Sequence, residues 1–153
     1  MKALISVAMF LTATAVFGAD QSRPIMIRGW SFDIPSFLTE HVQEGPDFTV
    51  TSFYSTERKM SLGIYEGMWP QEFAKGKDGV RGKMEKIENQ DVKWSFWEET
   101  KDGKKSFHAE IFLLINPASQ QPEKLHIFVA AASLSDLSLL QQSVRAARRK
   151  NQP

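Results

Sequence analysis

The stretch Val92-Lys93-Trp94-Ser95-Phe96-Trp97-Glu98-Glu99-Thr100, followed by Lys101-Asp102-Gly103-Lys104 and then Lys105-Ser106-Phe107-His108-Ala109-Glu110-Ile111-Phe112-Leu113-Leu114-Ile115, decides the fold. Asp-Gly accepts the positive φ angles of a two-residue hairpin turn. If Lys101 and Lys104 close that turn, Phe96 falls opposite Ala109, Trp94 opposite Ile111 and Val92 opposite Leu113. The other face pairs Trp97 with His108, Ser95 with Glu110 and Lys93 with Phe112. One face is apolar and the other mixed, as expected for an antiparallel pair half-buried against a core.

Upstream, Trp30, Phe32 and Ile34 alternate with Ser31 and Asp33 as a half-buried strand, and Pro35 stops it. Phe37 and Leu38 are expected to plug the core from a short turn or helix before Glu44-Gly45-Pro46-Asp47. Phe48–Ser55 is β-branched and aromatic, a second strand. Met60–Met68 is a third, with Met60, Leu62 and Ile64 on one face. Placing Tyr54 opposite Met60 and Val50 opposite Ile64 keeps apolar side chains together. Residues 70–91 hold Pro70, Gly76, Gly79 and Gly82 among many charges and read as a long flexible loop, with a short helix around Arg81–Asn89.

Downstream, 116–123 is a loop and Leu125–Ala132 a nearly continuous apolar run, the mark of a central strand. Ser133 and Asp136 have capping-box spacing. A helix to about Arg149 would carry Leu137, Leu140, Val144 and Ala147 on one stripe and a cluster of arginines at its C-terminal end, favoured by the helix dipole. The expected fold class is α+β: a single domain with a mainly antiparallel β-sheet of five or six strands and a long C-terminal helix packed on it.

The 153 residues are 42% apolar and 24% charged, which excludes a disordered chain and a strongly basic nucleic-acid arm. Residues 1–19 carry Lys2, an apolar run from Ala3 to Phe17, then Gly18 and Ala19. They read as a secretory signal peptide, leaving 20–153 as one globular domain with its loop around 70–91. Lys2 leaves with the leader, so basic and acidic side chains balance. Neither nucleic acid nor a stable membrane anchor is expected as a partner. The chain has no cysteine, so a lipidated cysteine, a thiol nucleophile and a thiolate metal site are all excluded. A periplasmic or secreted location follows.

The segment Phe48–Pro70, with Gly63-Ile64-Tyr65-Glu66-Gly67, and the final strand and helix Leu125–Arg149 together resemble the PsbP-like α/β/α sandwich group of small exported accessory proteins. The resemblance is one of element order over most of the mature chain and brings no diagnostic motif. It implies a non-enzymatic accessory role and carries no binding residues with it.

No catalytic or metal constellation stands out. His41, His108 and His126 are not at ligand spacing, and strand-borne histidines such as His108 and His126 usually serve as hydrogen-bonded structural groups. Ser106 and His108 share a strand face without an acid to complete a triad, and no Gly-x-Ser-x-Gly elbow occurs. Adjacent Glu98 and Glu99 point to opposite faces. Gly76–Lys83 lacks the Gly-Lys-Ser/Thr ending of a phosphate loop. A degenerate hydrolase built on Ser106, His108 or Glu110 is the weakest alternative, and no cofactor is expected.

Surplus aromatics remain. Tyr65 and Trp69 have the opposite parity to Met60, Leu62 and Ile64, and Trp97 faces away from Trp94 and Phe96. The terminal helix is expected to cover this second face. Any part of it left open, with Tyr65, Trp69, Trp97, His108 and Phe112 as candidate binding residues, would engage a protein partner. The expected function is an exported, non-enzymatic binding or accessory protein, monomeric or weakly self-associating, with a periplasmic inhibitor or immunity protein as one form. The alternative is a carrier of a small apolar ligand within a curved sheet.

Overall fold

Antiparallel pairing between chain neighbours builds most of the molecule. The computed structural model describes residues 21–116, 120 and 123–150, so the leader expected over 1–19 lies outside the described residues. Strand β1 (Ser22–Ile27) turns through Arg28 and Gly29, at φ 49° and 80°, into β2 (Trp30–Pro35). Strands β3 (Thr39–Glu44), β4 (Phe48–Ser55) and β5 (Met60–Gly67) follow as a meander. Strands β6 (Arg81–Ile87), β7 (Gln90–Lys101) and β8 (Lys104–Leu114) form another. Strand β9 (Lys124–Ala131) joins them, pairing with β5 on one side and β8 on the other. Helix α1 (Leu134–Arg145) and the short β10 (Arg148–Arg149) complete the chain.

The expected α+β class, with five or six strands and a long helix, is corrected. Among the described residues ten strands form two antiparallel sheets, ordered β1-β2-β10 and β3-β4-β5-β9-β8-β7-β6, with one short helix. Four strands account for the difference: β1, β3, β6 and, after the helix, β10. All six residues of β3 are exposed, so this edge strand shows no apolar alternation. In β1 only Ile27 is buried. In β6, found where a loop with a short helix was expected, Glu85 takes the core-side position opposite Val92. Its charge is met by Arg145 at 2.8 Å, so a carboxylate stands where the apolar period called for a hydrocarbon.

The helix also stops before Arg149. Ala146 caps it, Ala147 is buried, and Arg148 and Arg149 pair with Ser31 and Trp30 of β2. There the Arg149 guanidinium lies 5.6 Å from the Trp30 ring centre, and its backbone N–H donates to Glu88 at 2.7 Å. Ser133 is the N-cap the capping box called for, accepting from the Asp136 amide at 3.1 Å.

The Asp102-Gly103 hairpin forms as expected, with φ of 50° and 71° and with Phe96 opposite Ala109 and Trp97 opposite His108. Its paired ladder ends at Ser95 and Glu110, so the expected pairing of Trp94 with Ile111, Lys93 with Phe112 and Val92 with Leu113 is not continued. Beyond it the Gln90 side chain takes over, exchanging hydrogen bonds of 2.9 Å with the Leu114 backbone N–H and C=O. The β4–β5 register is displaced by one from expectation: Ser55, not Tyr54, opposes Met60, and Thr51, not Val50, opposes Ile64. The actual register sets Phe53 against Leu62, both buried on the core face.

The core lies on one face of the large sheet. Leu62, Ile64, Trp94, Ile111 and Ile127 pack there against Leu137, Leu140 and Val144 of α1 and against Trp30, Phe32 and Ile34 of β2. Each fully buried side chain of this size contributes about 1.5–3 kcal/mol over its exposed state. Helix and small sheet therefore share the Met60/Leu62/Ile64 side. The expectation that the helix covers the Tyr65/Trp97 face is overturned, because α1 and β2 together fill the core side.

Candidate functional site

The second face of the large sheet carries rows set by strand register. Tyr65, His126 and Phe112 form one row; Gly63, Phe128, Glu110 and Ser95 form the next; Ala130, His108 and Trp97 form a third. The chain between β5 and β6 crosses these rows and is tied down at Glu110. That carboxylate accepts from the backbone N–H groups of Phe73 and Ala74, at 2.8 and 2.9 Å, and sits 2.8 Å from His126 Nε2. The Phe73 ring lies 5.0 Å from both the His126 and Phe128 rings. Gly63 makes room beneath: a Cβ there would lie 2.1 Å from Phe128 Cζ.

Burial of Glu110 works against its charge, yet bonds from His126 and from the Ala74 and Phe73 amides hold its carboxyl below the usual carboxylate range. An ionised carboxylate with three donors is the most economical way to fix two consecutive amides over a sheet.

At the far end of the crossing segment, Lys77 reaches Glu99 at 2.7 Å, and Trp97 Nε1 donates to Glu99 at 3.1 Å. His108 stacks on Trp97 at 5.2 Å and its Nε2 lies 2.8 Å from Ser106 Oγ. Burial lowers the His108 pKa, opposed by Glu99 and reinforced by Lys77. Ser106, His108 and Glu99 look like parts of a triad but are wired wrongly. The Glu99 carboxylate approaches the same Nε2 (3.9 Å) that faces the serine, whereas a triad needs its acid on Nδ1. Among the described residues no group of three or more His, Asp or Glu side chains is placed to hold a metal ion.

Of the candidate binding residues, Tyr65, Trp97, His108 and Phe112 do share this face, but they are not equally open. Trp97 is only 5% exposed beneath the Lys77 segment. Tyr65 stacks on Phe48 at 5.8 Å, and Phe112 stacks on His126 at 4.5 Å. Trp69 is different: it and Met68 are 77% and 75% exposed, side by side just beyond β5. They border an open groove of about 510 Å³ that also touches Pro70, Glu72, Phe112 and Lys124. Met68 and the Glu110 anchor escaped sequence reasoning. The first sits at the end of an apolar alternation, and the second is a lone acid on a strand whose partners come from 36 residues or more away in sequence on one side.

No protein-family model matches this sequence, and no curated protein matches it. Among solved structures, the crystal structure of a protein from Bacteroides thetaiotaomicron VPI-5482, at 1.50 Å resolution, superposes with a TM-score of 0.56 and 13% identity. The match covers 86% of this chain and 50% of that chain, so this chain spans about half the length of that protein. At such identity the likeness shows the fold alone.

Proposed function

We propose that this chain is an exported, non-enzymatic binding or accessory protein that holds a protein partner on the Met68–Trp69 ridge and the groove beside Phe112. One observation carries the reading: two consecutive large apolar side chains, each about three-quarters exposed, stand over a groove. Exposed Trp and Met beside a concave surface are the usual anchors of partner recognition. The segment bearing them is fixed by the Glu110 anchor, so the ridge is presented from a stable base. Trp97 and His108 then belong to that base rather than to the contact surface.

The wiring of Ser106, His108 and Glu99 argues against a hydrolytic role. Trp30, Trp94 and Ile111 occupy the space between sheet and helix where a carrier would hold its ligand. Export rests on the leader read over 1–19, and inhibition of a periplasmic toxin remains one form the binding could take.

The test replaces Met68 and Trp69 together by alanine. Partner capture from a periplasmic extract should fall sharply against wild type while the thermal midpoint is unchanged. Equal capture by the folded double variant refutes the surface.

A further inference from the structure

The ridge separates two clefts of unlike chemistry. The groove of about 510 Å³ offers Trp69, Pro70 and Phe112; a second cleft, of about 380 Å³, offers Asp47, Glu66 and Phe48. Gly67, Met68 and Glu123 line both and form their common wall. We propose that the partner presents an extended basic segment here, with an apolar side chain over Trp69 and Phe112 and an arginine or lysine in the neighbouring cleft. This deepens the binding reading above and rests on it.

Charge complementarity names the occupant. Asp47, Glu66, Glu72 and Glu123 ring the two clefts, against Arg28 and Lys124. Arg28 is already engaged, by Glu123 and by Glu66 at 3.9 Å. Asp47 and Glu72 have no ion-pair partner among the described residues. Burial raises the Glu66 carboxyl above the usual range despite the attraction of Arg28, so its negative charge is under-compensated. A further cation entering the cleft would relieve that cost, whereas an acidic segment would add to it. In an extended peptide, side chains two apart share a face about 6.6 Å from each other. A leucine and an arginine two apart therefore face the same surface, one for each cleft.

The probe is a fluorescein-labelled twelve-residue peptide repeating Leu-Ser-Arg-Ser, with glutamate-for-arginine and serine-for-leucine versions as controls. Binding is read by anisotropy and by protection of Trp69 from acrylamide. The arginine peptide should bind, both controls should bind about tenfold more weakly or worse, a loss of about 1.4 kcal/mol, and added salt should weaken binding. Asp47→Asn with Glu66→Gln should produce the same loss with an unchanged thermal midpoint.

Equal binding of the glutamate peptide, no binding of the arginine peptide, or no effect of the two acid substitutions overturns the basic-segment proposal. If Met68→Ala with Trp69→Ala still abolishes partner capture in those cases, the protein-binding reading survives; if capture is unchanged, both fall. Self-association in sedimentation that Trp69→Ala abolishes would make a second copy the occupant and also overturn the proposal.

Discussion

His126 Nε2 lies 2.8 Å from Glu110 Oε2, between side chains that are 1% and 3% exposed. The pair lies on the sheet face away from the helix, and its carboxylate also holds the Phe73 and Ala74 amides. A buried charge of this kind stays only if its donors stay. The ridge carrying Trp69 therefore depends on chemistry in β8 and β9.

Glu110→Ala leaves two amides and an imidazole without their acceptor. The expected cost is about 1–3 kcal/mol. Glu110→Gln keeps the volume but turns an NH₂ toward one of the donors, and should lose a similar amount. Hydrogen exchange at the Phe73 and Ala74 amides should accelerate in both variants, while exchange in β9 and α1 accelerates only as far as the loss of global stability requires. Unchanged protection at those two amides would show that the anchor is idle.

Acid should act on the same contact. The Glu110 carboxyl is lower in pKa than its ordinary 4.5, so its contribution is complete above that value and is lost as pH falls through the folded pKa. Glu85, bonded to Arg145 and Lys83, is held down to about 2, and its contribution likewise fades between 4.5 and about 2. Protection of the Phe73 amide should stay level from neutral pH to about 5 and then decline. In Glu110→Gln that decline should be shallower, leaving the part that Glu99, bonded to Lys77, and Glu85 contribute.

Glu85→Gln separates core-side from back-face electrostatics. Glu85 accepts from Arg145 Nε at 2.8 Å and from Trp94 Nε1 at 3.0 Å, joining β6 to α1. Neutralising it should cost about 2 kcal/mol, measured by urea unfolding at neutral pH. A stability equal to wild type would mean that β6 is held by its backbone pairing alone.

Tryptophan substitutions should divide cleanly. Trp30 and Trp94 are fully buried, Trp97 nearly so, and Trp69 stands open, so acrylamide should quench one of the four strongly. Trp69→Ala should remove the quenchable component and shift stability by less than about 0.5 kcal/mol. Trp97→Ala should cost about 3–5 kcal/mol. Similar stability losses for the two would contradict their assigned places.

Gly63→Ala probes the aromatic row under Phe73. The added methyl collides with the Phe128 ring, which must swing away from its edge-on contact with Phe73. Destabilisation of about 1–3 kcal/mol is expected in chemical denaturation. Adding Phe128→Leu should make the alanine far less costly, since the clash goes with the ring; a strictly additive double variant would place the strain elsewhere.

Local pattern alone determined the elements whose side chains meet their needs within a hairpin or a helical turn. Asp102-Gly103 carries its own positive φ angles, β2 and β9 announce themselves by apolar alternation or continuity, and Ser133 caps its own helix. What only the tertiary structure decided was every position paid for by a distant partner. Glu85 could hold a core-side place in β6 because Arg145 lies 60 residues on, and β3 could be a fully exposed strand because β4 pairs with it. Arg148 and Arg149 left the helix because β2 offered an edge. The site followed the same division: Trp69 was legible as a surplus aromatic, but its openness, and the closing of Trp97 beneath Lys77, arose where Glu110 pinned a segment from elsewhere in the chain. Periodicity records which way a side chain points; it holds no record of which remote charge or edge will be waiting there.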